Sequence, residues 1–524
     1  MLNYIWLSLI AFGILIALGS DIENEINKTF PNNEKLNAEI ITHRNSFEVR
    51  FSAKNENAKF KAEKDFSLFV KNAQPRMNAY FTGTIEEDAP SIIKQIAENS
   101  GEKDDVGFRI SELQSLGDSA YSARVVLESV SFPKMKAITN AVLDYSKISV
   151  NIALGLIGIM AFWLGIMKIA ERAGMVKLIA KAVRPLMRKL FPDVPDDHPA
   201  IASMIMNISA NMLGLGNAAT PFGLKAMEEL DTLNTEKGTA TNAMCTFLAI
   251  NTAGFTLIPA TAIAIRAAQG SAEPTIIIGT SLFGSLVATV TGITVAKFFE
   301  RISLVKSGKM KISPKHFLKT FFFFALFIFL LALIVKFLFL SDAAQTVIAI
   351  IKTISILAIP LILLVFLAYG VKKKINLYEA FTNGAKEGFD IAVRIIPYLV
   401  AMLVAIGVFR ASGGMDFLVR ILSPVTNLIG MPAEVLPMAL MRPLSGSGSI
   451  GIMTELMAQH GPDSFIGVLA STILGSTETT FYVLALYFGS VNIKRTRHAV
   501  IAGVSADIAG ILAALFIVKL LFSF

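Results

Sequence analysis

One cysteine in 524 residues leaves no partner for a disulfide, and Cys245 alone cannot furnish a cysteine-based zinc site. Histidine is nearly as scarce: His43, His198, His316, His460 and His498 are scattered without metal-ligand spacing. Charge is thin as well, 17% of residues against about 25% in an ordinary soluble domain. No nucleophile–base pair or metal cluster emerges, so neither an enzyme nor a resident cofactor is expected. What fills the space is apolar: 53% hydrophobic residues and a mean hydropathy of +0.59, a balance that argues against a purely cytosolic protein.

The net charge of +8 is unevenly spread. Residues 21–139 carry 16 Lys and Arg against 19 Asp and Glu, whereas the remainder carries 32 against 21. Positive charge that belongs to the hydrophobic part fits the loops of a membrane protein, not a nucleic-acid surface. Nucleic acid is therefore not an expected partner.

A bilayer core of about 30 Å takes about 20 apolar residues as helix. The candidate spans are 148–167, 241–265, 275–296, 317–340, 345–371, 395–409, 465–491 and 498–520. An earlier segment, Tyr4 to Gly19, is shorter and has no Lys or Arg before it. It is either an uncleaved anchor or a signal peptide ending at Ala17-Leu18-Gly19, and both readings put residue 21 on the same side. Residues 21–139 have strand-like stretches at Phe47–Phe51, Asp65–Val70, Met77–Thr84 and Ala123–Phe132. An amphipathic helix is expected over Pro90–Asn99, giving a small soluble α+β domain.

Two stretches, 200–228 and 433–457, are rich in Gly, Ser, Asn and Pro and break midway, at Gly214-Leu215-Gly216-Asn217 and at Ser445-Gly446-Ser447-Gly448-Ser449. They read either as loops flanking short helices or as re-entrant hairpins whose tips line a cavity. The same design occurring twice favours the hairpins. The stretches are also related by sequence: Met227, Glu229 and Leu230 align with Met453, Glu455 and Leu456. At the same offset Thr246 meets Thr472, Leu248 meets Leu474, Thr252 meets Glu478 and Phe255 meets Phe481.

Charge sets the orientation. With 21–139 outside and each hairpin returning to its own side, the cytoplasmic segments hold Lys168–Lys189, Lys225, Lys237, Lys297–Lys319, Lys372–Arg394 and Lys494–Arg497. These contain 24 of the 32 basic residues outside the soluble domain. Five crossings then separate the starts of the two units, an odd number, so the second unit is inverted. Inverted repeats with discontinuous helices point to a secondary transporter.

The run Asn211-Met-Leu-Gly-Leu-Gly-Asn-Ala-Ala-Thr-Pro-Phe-Gly-Leu-Lys-Ala-Met-Glu-Glu-Leu is similar to the spore maturation A family. Arg442-Pro-Leu-Ser-Gly-Ser-Gly-Ser, Gly461-Pro-Asp-Ser-Phe and Gly475-Ser-Thr-Glu-Thr-Thr-Phe-Tyr-Val are similar to the spore maturation B family. The chain resembles a fusion of the two over roughly residues 1–20 and 141–524, within the nucleoside-recognition Gate superfamily, which itself resembles concentrative nucleoside transporters. That resemblance implies two re-entrant hairpins, interfacial helices at about 173–190 and 415–428, and an elevator-like mobile core. The nucleoside transporters' substrate motifs are not reproduced residue for residue. The resemblance therefore carries the fold and leaves the solute open among nucleoside-, amino-acid- and peptide-like molecules.

The expected fold is an all-α polytopic membrane protein of two inverted Gate repeats with re-entrant hairpins, plus the α+β domain. In order these are an anchor (1–20), the extracytoplasmic domain (21–140), Gate repeat A (141–310), linking scaffold helices (311–379) and Gate repeat B (380–524).

Ionisable groups at membrane depth are costly and default to function. Glu478 lies in the hydroxyl-rich run Ser476-Thr477-Glu478-Thr479-Thr480, and its repeat partner Thr252 stands beside Asn251. These polar breaks are either the solute or ion site, or a structural carboxylate that caps a half-helix or pairs with Arg442. At the second hairpin tip Ser445, Ser447 and Ser449 offer hydroxyls at a half-helix N-terminus, and Arg442 adds a fork for an anionic group. The alternative there is a tight turn with Arg442 on backbone carbonyls or a lipid headgroup. Asn211, Asn217 and Thr220 supply uncharged polar groups near the first tip. Glu478, Glu455 and Asp507 are candidates for coupling to Na⁺ or H⁺; Glu455, like Glu229, also reads as a solvated rim group, and Asp507 as a salt-bridge partner. Phe321–Phe324 reads as lipid-facing packing and Lys372–Lys374 as a topology anchor.

The functional expectation is secondary transport of a small polar solute across a bacterial cytoplasmic membrane, with lipids as neighbours and an N-terminus in the cytoplasm if uncleaved. The alternative is a scaffold or sensor for envelope maturation that binds an envelope partner through 21–140. The sequence is compatible with a homo-oligomer.

Overall fold

The computed structural model describes residues 2–53, 63–100, 104–117, 119–214, 219–306 and 343–522. Asn217 and the expected span 317–340, with Phe321–Phe324, lie outside the described residues. The chain divides into two units: Leu7–Asp144 with Val404–Leu418, and Met1–Trp6 with Tyr145–Leu403 and Val419–Phe524.

The first unit contains helix α1 (Leu2–Asn27) from Leu7 onward, and then a β domain. Its strands are β1 (Leu36–Thr42), β2 (Ser46–Phe51), β3 (Phe66–Lys71), β4 (Tyr80–Ile85), β5 (Asp105–Ser115) and β6 (Ala120–Leu127). Each pairs antiparallel with the next, and β6 returns to β1 to close a barrel. The register follows from alternation: Leu36, Ala38 and Ile40 point inward while Asn37 and Glu39 stay exposed, and Ile40 sits opposite Val49. Helix α2 (Ser91–Ser100) adds Ile93, Ile96 and Ala97 to the same core. The expected α+β domain is thus more specifically a closed β-barrel with one packed helix. Four strands and the helix lie close to their expected places; β1 and β5 escaped because their outward positions are mostly polar or glycine (Asn37, Glu39, Gly107, Arg109) and β1 includes the small inward Ala38. Closure leaves no unpaired edge. The ends of the domain are tied together, since Asn32 Nδ2 donates to Val130 O at 2.7 Å and Val130 N to Asn32 Oδ1 at 2.8 Å. Fully buried Asp21 accepts the backbone N–H groups of Lys134 and Met135, each at 2.9 Å, and so caps the start of the next helix.

The remaining helices are α3 (Pro133–Arg172), α4 (Met175–Leu190), α5 (Pro199–Met212), α6 (Thr220–Thr232), α7 (Asn242–Ala253), α8 (Ala260–Ala268) and α9 (Ile277–Lys306). They continue with α10 (Ala343–Lys372), α11 (Leu377–Ala411), α12 (Gly414–Ile429), α13 (Leu436–Met441), α14 (Gly446–His460), α15 (Phe465–Ser476), α16 (Thr480–Ser490) and α17 (Ala499–Phe522). Among the described residues five helices are long and apolar enough to cross a bilayer: α1, α3, α9, α11 and α17. The chain is a multi-pass, mostly helical membrane protein. Several helices run beyond their expected spans; α11, for example, continues N-terminally through Lys386 and Arg394 as one helix.

Within the helical unit, α7, α9 and α17 approach closely because small residues face one another. A Cβ built on Gly292 would lie 3.1 Å from Ala506 Cβ, and Ala253, Ala288 and Ala506 form one buried cluster. A larger core joins Met204, Met227, Phe247, Leu248 and Tyr487, holding α5, α6, α7 and α16 together. These contacts fix the two interrupted helices α7/α8 and α15/α16.

Candidate functional site

The apolar run from Asn242 is stopped by Gly254, whose φ of +59° caps α7 in the left-handed region, and it resumes after Pro259 as α8. The run from Phe465 is stopped at Thr477 and Thr479, both extended, and resumes at Thr480 as α16. The two breaks touch. Glu478 N donates to Thr252 O at 2.9 Å, joining the residues that occupy equivalent positions in the two sequence repeats. The approach needs a bare backbone: a Cβ on Gly254 would meet Glu478 N at 3.0 Å and its Cγ at 3.1 Å.

Around this crossing lies a cavity of about 220 Å³. Four segments supply its walls: Asn211 and Gly214 at the end of α5, Gly254 to Ala262 from the first break and the start of α8, Arg442, Gly446 and Ile450 from α13 and α14, and Leu474 to Glu478 from the end of α15 and the second break. Leu257 N donates to Met212 O at 2.8 Å, tying the end of α5 to the first break. Phe481 N donates to Pro443 O at 3.0 Å, tying the segment before α14 to the second break.

Arg442 is the charged anchor. Its side chain is 5% exposed, donates Nη2 to the Thr477 carbonyl and Nη1 to Thr479 Oγ1 at 3.4 Å, and lies 3.7 Å from Glu478 Oε2. The Glu478 side chain is 54% exposed. Its Oε2 also accepts the Thr479 backbone N–H at 3.1 Å. Thr477 Oγ1 and Arg442 Nε are buried and have no hydrogen-bond partner among the described residues. A cation, a carboxylate and a buried unpartnered hydroxyl therefore stand together at the wall of one cavity, which suits a polar solute.

The remaining sequence candidates fall into distinct places. Asn211 lines the cavity and donates to Asn251 Oδ1 at 3.1 Å, while Asn251 donates in turn to Phe247 O at 2.9 Å. Thr252 is buried and its hydroxyl bonds back to Ala249 O at 3.1 Å. Ser445 caps α14 by accepting Gly448 N at 3.0 Å, Ser449 donates to Ser445 O at 2.7 Å, and Ser447 Oγ lies 3.4 Å from Ser445 Oγ. Those three serines shape the turn, and none lines the cavity. Thr220 begins α6 away from it, and Thr479 serves Arg442. Glu455 is 1% exposed, so its reading as a solvated rim carboxylate is corrected: α14 turns this residue inward. Glu229 lies 4.0 Å from Lys225. Asp507 is fully buried behind the second break, with Thr480 Oγ1 donating to it at 2.6 Å. Sequence reasoning missed Gly254, Thr256 and Pro259, for which the Gly-to-Pro interval inside an apolar run was the signal; Gly446 lies in the tip run it singled out.

A second, half-buried ion pair ties the ends of the broken helices together. Arg266, at the end of α8, is fully buried and donates to Asp463 Oδ1 at 2.7 Å, Ser471 Oγ at 3.2 Å and Ser271 Oγ at 3.1 Å. Asp463 is buried enough for desolvation to push its pKa up, but hydrogen bonds from Ser271 and Ala272 N, with the Arg266 charge, outweigh that and hold it below the ordinary carboxylate range. Asp463→Ala is expected to cost about 1–3 kcal/mol, because it strips a buried guanidinium of its carboxylate at a partly solvated edge. Thermal unfolding in detergent measures it. The wild-type advantage persists above the unfolded carboxylate's pKa and disappears as pH falls through the lower folded value.

The Gate family, described as nucleoside recognition, matches residues 153–268 and 392–494. Spore maturation protein B of Bacillus subtilis is 53% identical over 173 residues, covering 33% of this chain and 97% of that protein. Spore maturation protein A of the same organism is 44% identical over 165 residues, 32% of this chain and 84% of that protein. A solved CNTnw structure in an outward-facing state overlaps 71% of this chain and 76% of its own, at 12% identity and a TM-score of 0.37.

Proposed function

The chain belongs to the family of spore maturation proteins A and B, with its Gate nucleoside-recognition regions, and from that premise we propose that it is a secondary transporter of a small polar solute. The observation that carries this reading is the crossing of two interrupted apolar helices at a cavity that holds Arg442 and Glu478. Irregular backbone at membrane depth is tolerated where it lines such a cavity. Its about 220 Å³ suits an amino-acid-, dipeptide- or nucleoside-sized molecule with both an anionic or accepting end for Arg442 and a donating end for Glu478.

In this reading the two Gate units are inverted repeats, α5–α6 and α13–α14 are re-entrant hairpins, and the solute site alternates in elevator fashion between the two sides. Asn211, Arg442, Thr477 and Glu478 touch the solute; Asn251, Thr252, Ser445, Ser447, Ser449 and Thr479 hold the walls. Glu478, Glu455 and Asp507 are the carboxylates available to a coupling Na⁺ or H⁺. The membrane is a bacterial cytoplasmic membrane, with the barrel outside and, if the first segment is uncleaved, the N-terminus inside, an orientation supported by the distribution of Lys and Arg.

The test is reconstitution in liposomes with a panel of nucleosides, amino acids, short peptides and dicarboxylates under Na⁺ or H⁺ gradients. Wild-type protein is expected to accumulate at least one class. Glu478→Gln is expected to keep the fold and lower kcat/KM by about 10- to 100-fold, equivalent to about 1.4–2.7 kcal/mol of lost interaction. If no solute moves, transport is refuted and a scaffold or sensor role acting through the barrel becomes the better reading.

A further inference from the structure

Asp507 is used by neither wall of the cavity, yet it sits directly behind both. It lies in the apolar helix α17 and is fully buried. One turn before it, a Cβ on Gly503 would stand 2.8 Å from Thr480 Cγ2 and 3.2 Å from Thr252 Oγ1; one turn after it, a Cβ on Gly510 would stand 2.5 Å from Thr477 Cγ2. The glycines seat the backbone of α17 against both breaks and hold the carboxyl between them. Thr480, the first residue of α16, donates its hydroxyl to Asp507 Oδ2 at 2.6 Å. Asp507 Oδ1 has no hydrogen-bond partner among the described residues.

Among the described residues the surroundings are otherwise uncharged. Helix α9 presents Ala288 and Gly292 at this level, and its charged Lys297 and Glu300 lie toward the His498 end. Helix α7 brings Thr252, and α15 and α16 bring Ser476, Thr477 and Thr480. On α17 itself His498 precedes the first turn, and Lys519 lies about three turns beyond. The charged groups whose fields reach Asp507 are Arg442 and Glu478, the two that face the cavity.

We propose that Asp507 carries the coupling proton of the transport cycle, which rests on the transporter reading above. A proton from water binds Oδ1, the oxygen that lacks a donor, and converts the carboxylate to the neutral acid; release to water on the opposite side regenerates it. No other bond changes. Occupancy is felt at the site in two ways. The charge acts on the Arg442–Glu478 pair, and the Thr480 bond transmits it to the first turn of α16. Thr480 is a positioning residue.

Two measurements on the full-length protein test this. In proteoliposomes an inward gradient of about one pH unit sustains about tenfold solute accumulation at one proton per neutral solute. Asp507→Asn is expected to bring accumulation down to equilibration while solute exchange without a gradient persists. Thr480→Val is expected to keep proton-driven accumulation and shift its pH midpoint. Infrared difference spectroscopy on the purified protein reads the carboxyl without any solute: acidification should raise a protonated-carboxyl band that is absent from Asp507→Asn. The band without uptake of any solute would keep the proton site and refute the transport reading. A band that survives in Asp507→Asn, undiminished proton-driven accumulation in that variant, or accumulation driven by Na⁺ and indifferent to pH would overturn the assignment.

Discussion

Truncating Arg442 to alanine is expected to destabilise the helical unit by about 3 kcal/mol or more and to reduce uptake to the background of empty liposomes. Two costs combine. The Thr477 carbonyl loses its donor in a buried position, about 1–3 kcal/mol. A long side chain that is 5% exposed leaves a void, and comparable truncations cost about 2–5 kcal/mol. Arg442→Lys separates the roles. It keeps the positive charge, but an ammonium cannot bond the Thr477 carbonyl and Thr479 Oγ1 in one plane. That variant should fold, melt a few degrees lower, and raise KM by about tenfold, about 1.4 kcal/mol of solute binding. Melting in detergent and initial uptake rates together distinguish a fold defect from a site defect. Equal melting of Arg442→Ala and wild type would remove Arg442 from its structural role.

Gly254→Val is the second large effect, and it should abolish uptake through the backbone alone. At φ +59° an L-residue pays about 1–2 kcal/mol, and a β-branched one more. The new side chain also meets Glu478 N and Cγ at 3.0 and 3.1 Å, and overpacking of this kind costs about 1–3 kcal/mol. Relief requires the two breaks to separate, which ruptures the Glu478–Thr252 backbone bond and deforms the cavity wall. Gly254→Ala adds the same Cβ and meets the same atoms but lacks valine's two further methyls, so it should retain a fraction of the activity. A melting temperature and uptake rate unchanged in the valine variant would show that the breaks do not need this approach.

Much of the site was legible because its determinants are local. Glu478 stood out among hydroxyls in an apolar run, and Thr252 was found as its repeat partner, so the crossing was named at both ends before the contact was visible. Arg442 reads from sequence as a fork for an anionic group or as a binder of backbone carbonyls, and its contact with the Thr477 carbonyl is the second of these. The serines of the second tip misled for an equally local reason. Ser449 donates to the carbonyl four residues back and Ser445 accepts the N–H that caps its own helix, so both hydroxyls are turned to backbone groups. Barrel closure was illegible for the opposite reason: β6 pairs with β1 from Leu36 opposite Val125 to Ile41 opposite Ala120, and no short-range pattern specifies a pairing so distant in sequence. Gly254 was passed over because a glycine in an apolar run reads equally as a packing site, and only the neighbour at 3.0 Å distinguishes the two.

The cavity takes Asn211 and Gly254 from one half of the chain and Arg442 and Glu478 from the other. Neither half alone can therefore enclose this cavity, which is in effect an assembly product. Carrying both halves on one polypeptide replaces an encounter between two molecules, governed by expression level and dilution in the lipid plane, with an encounter at a fixed local concentration. Flexible tethers supply effective concentrations on the order of millimolar, so the joined chain guarantees a one-to-one stoichiometry that two separate polypeptides would have to achieve by affinity.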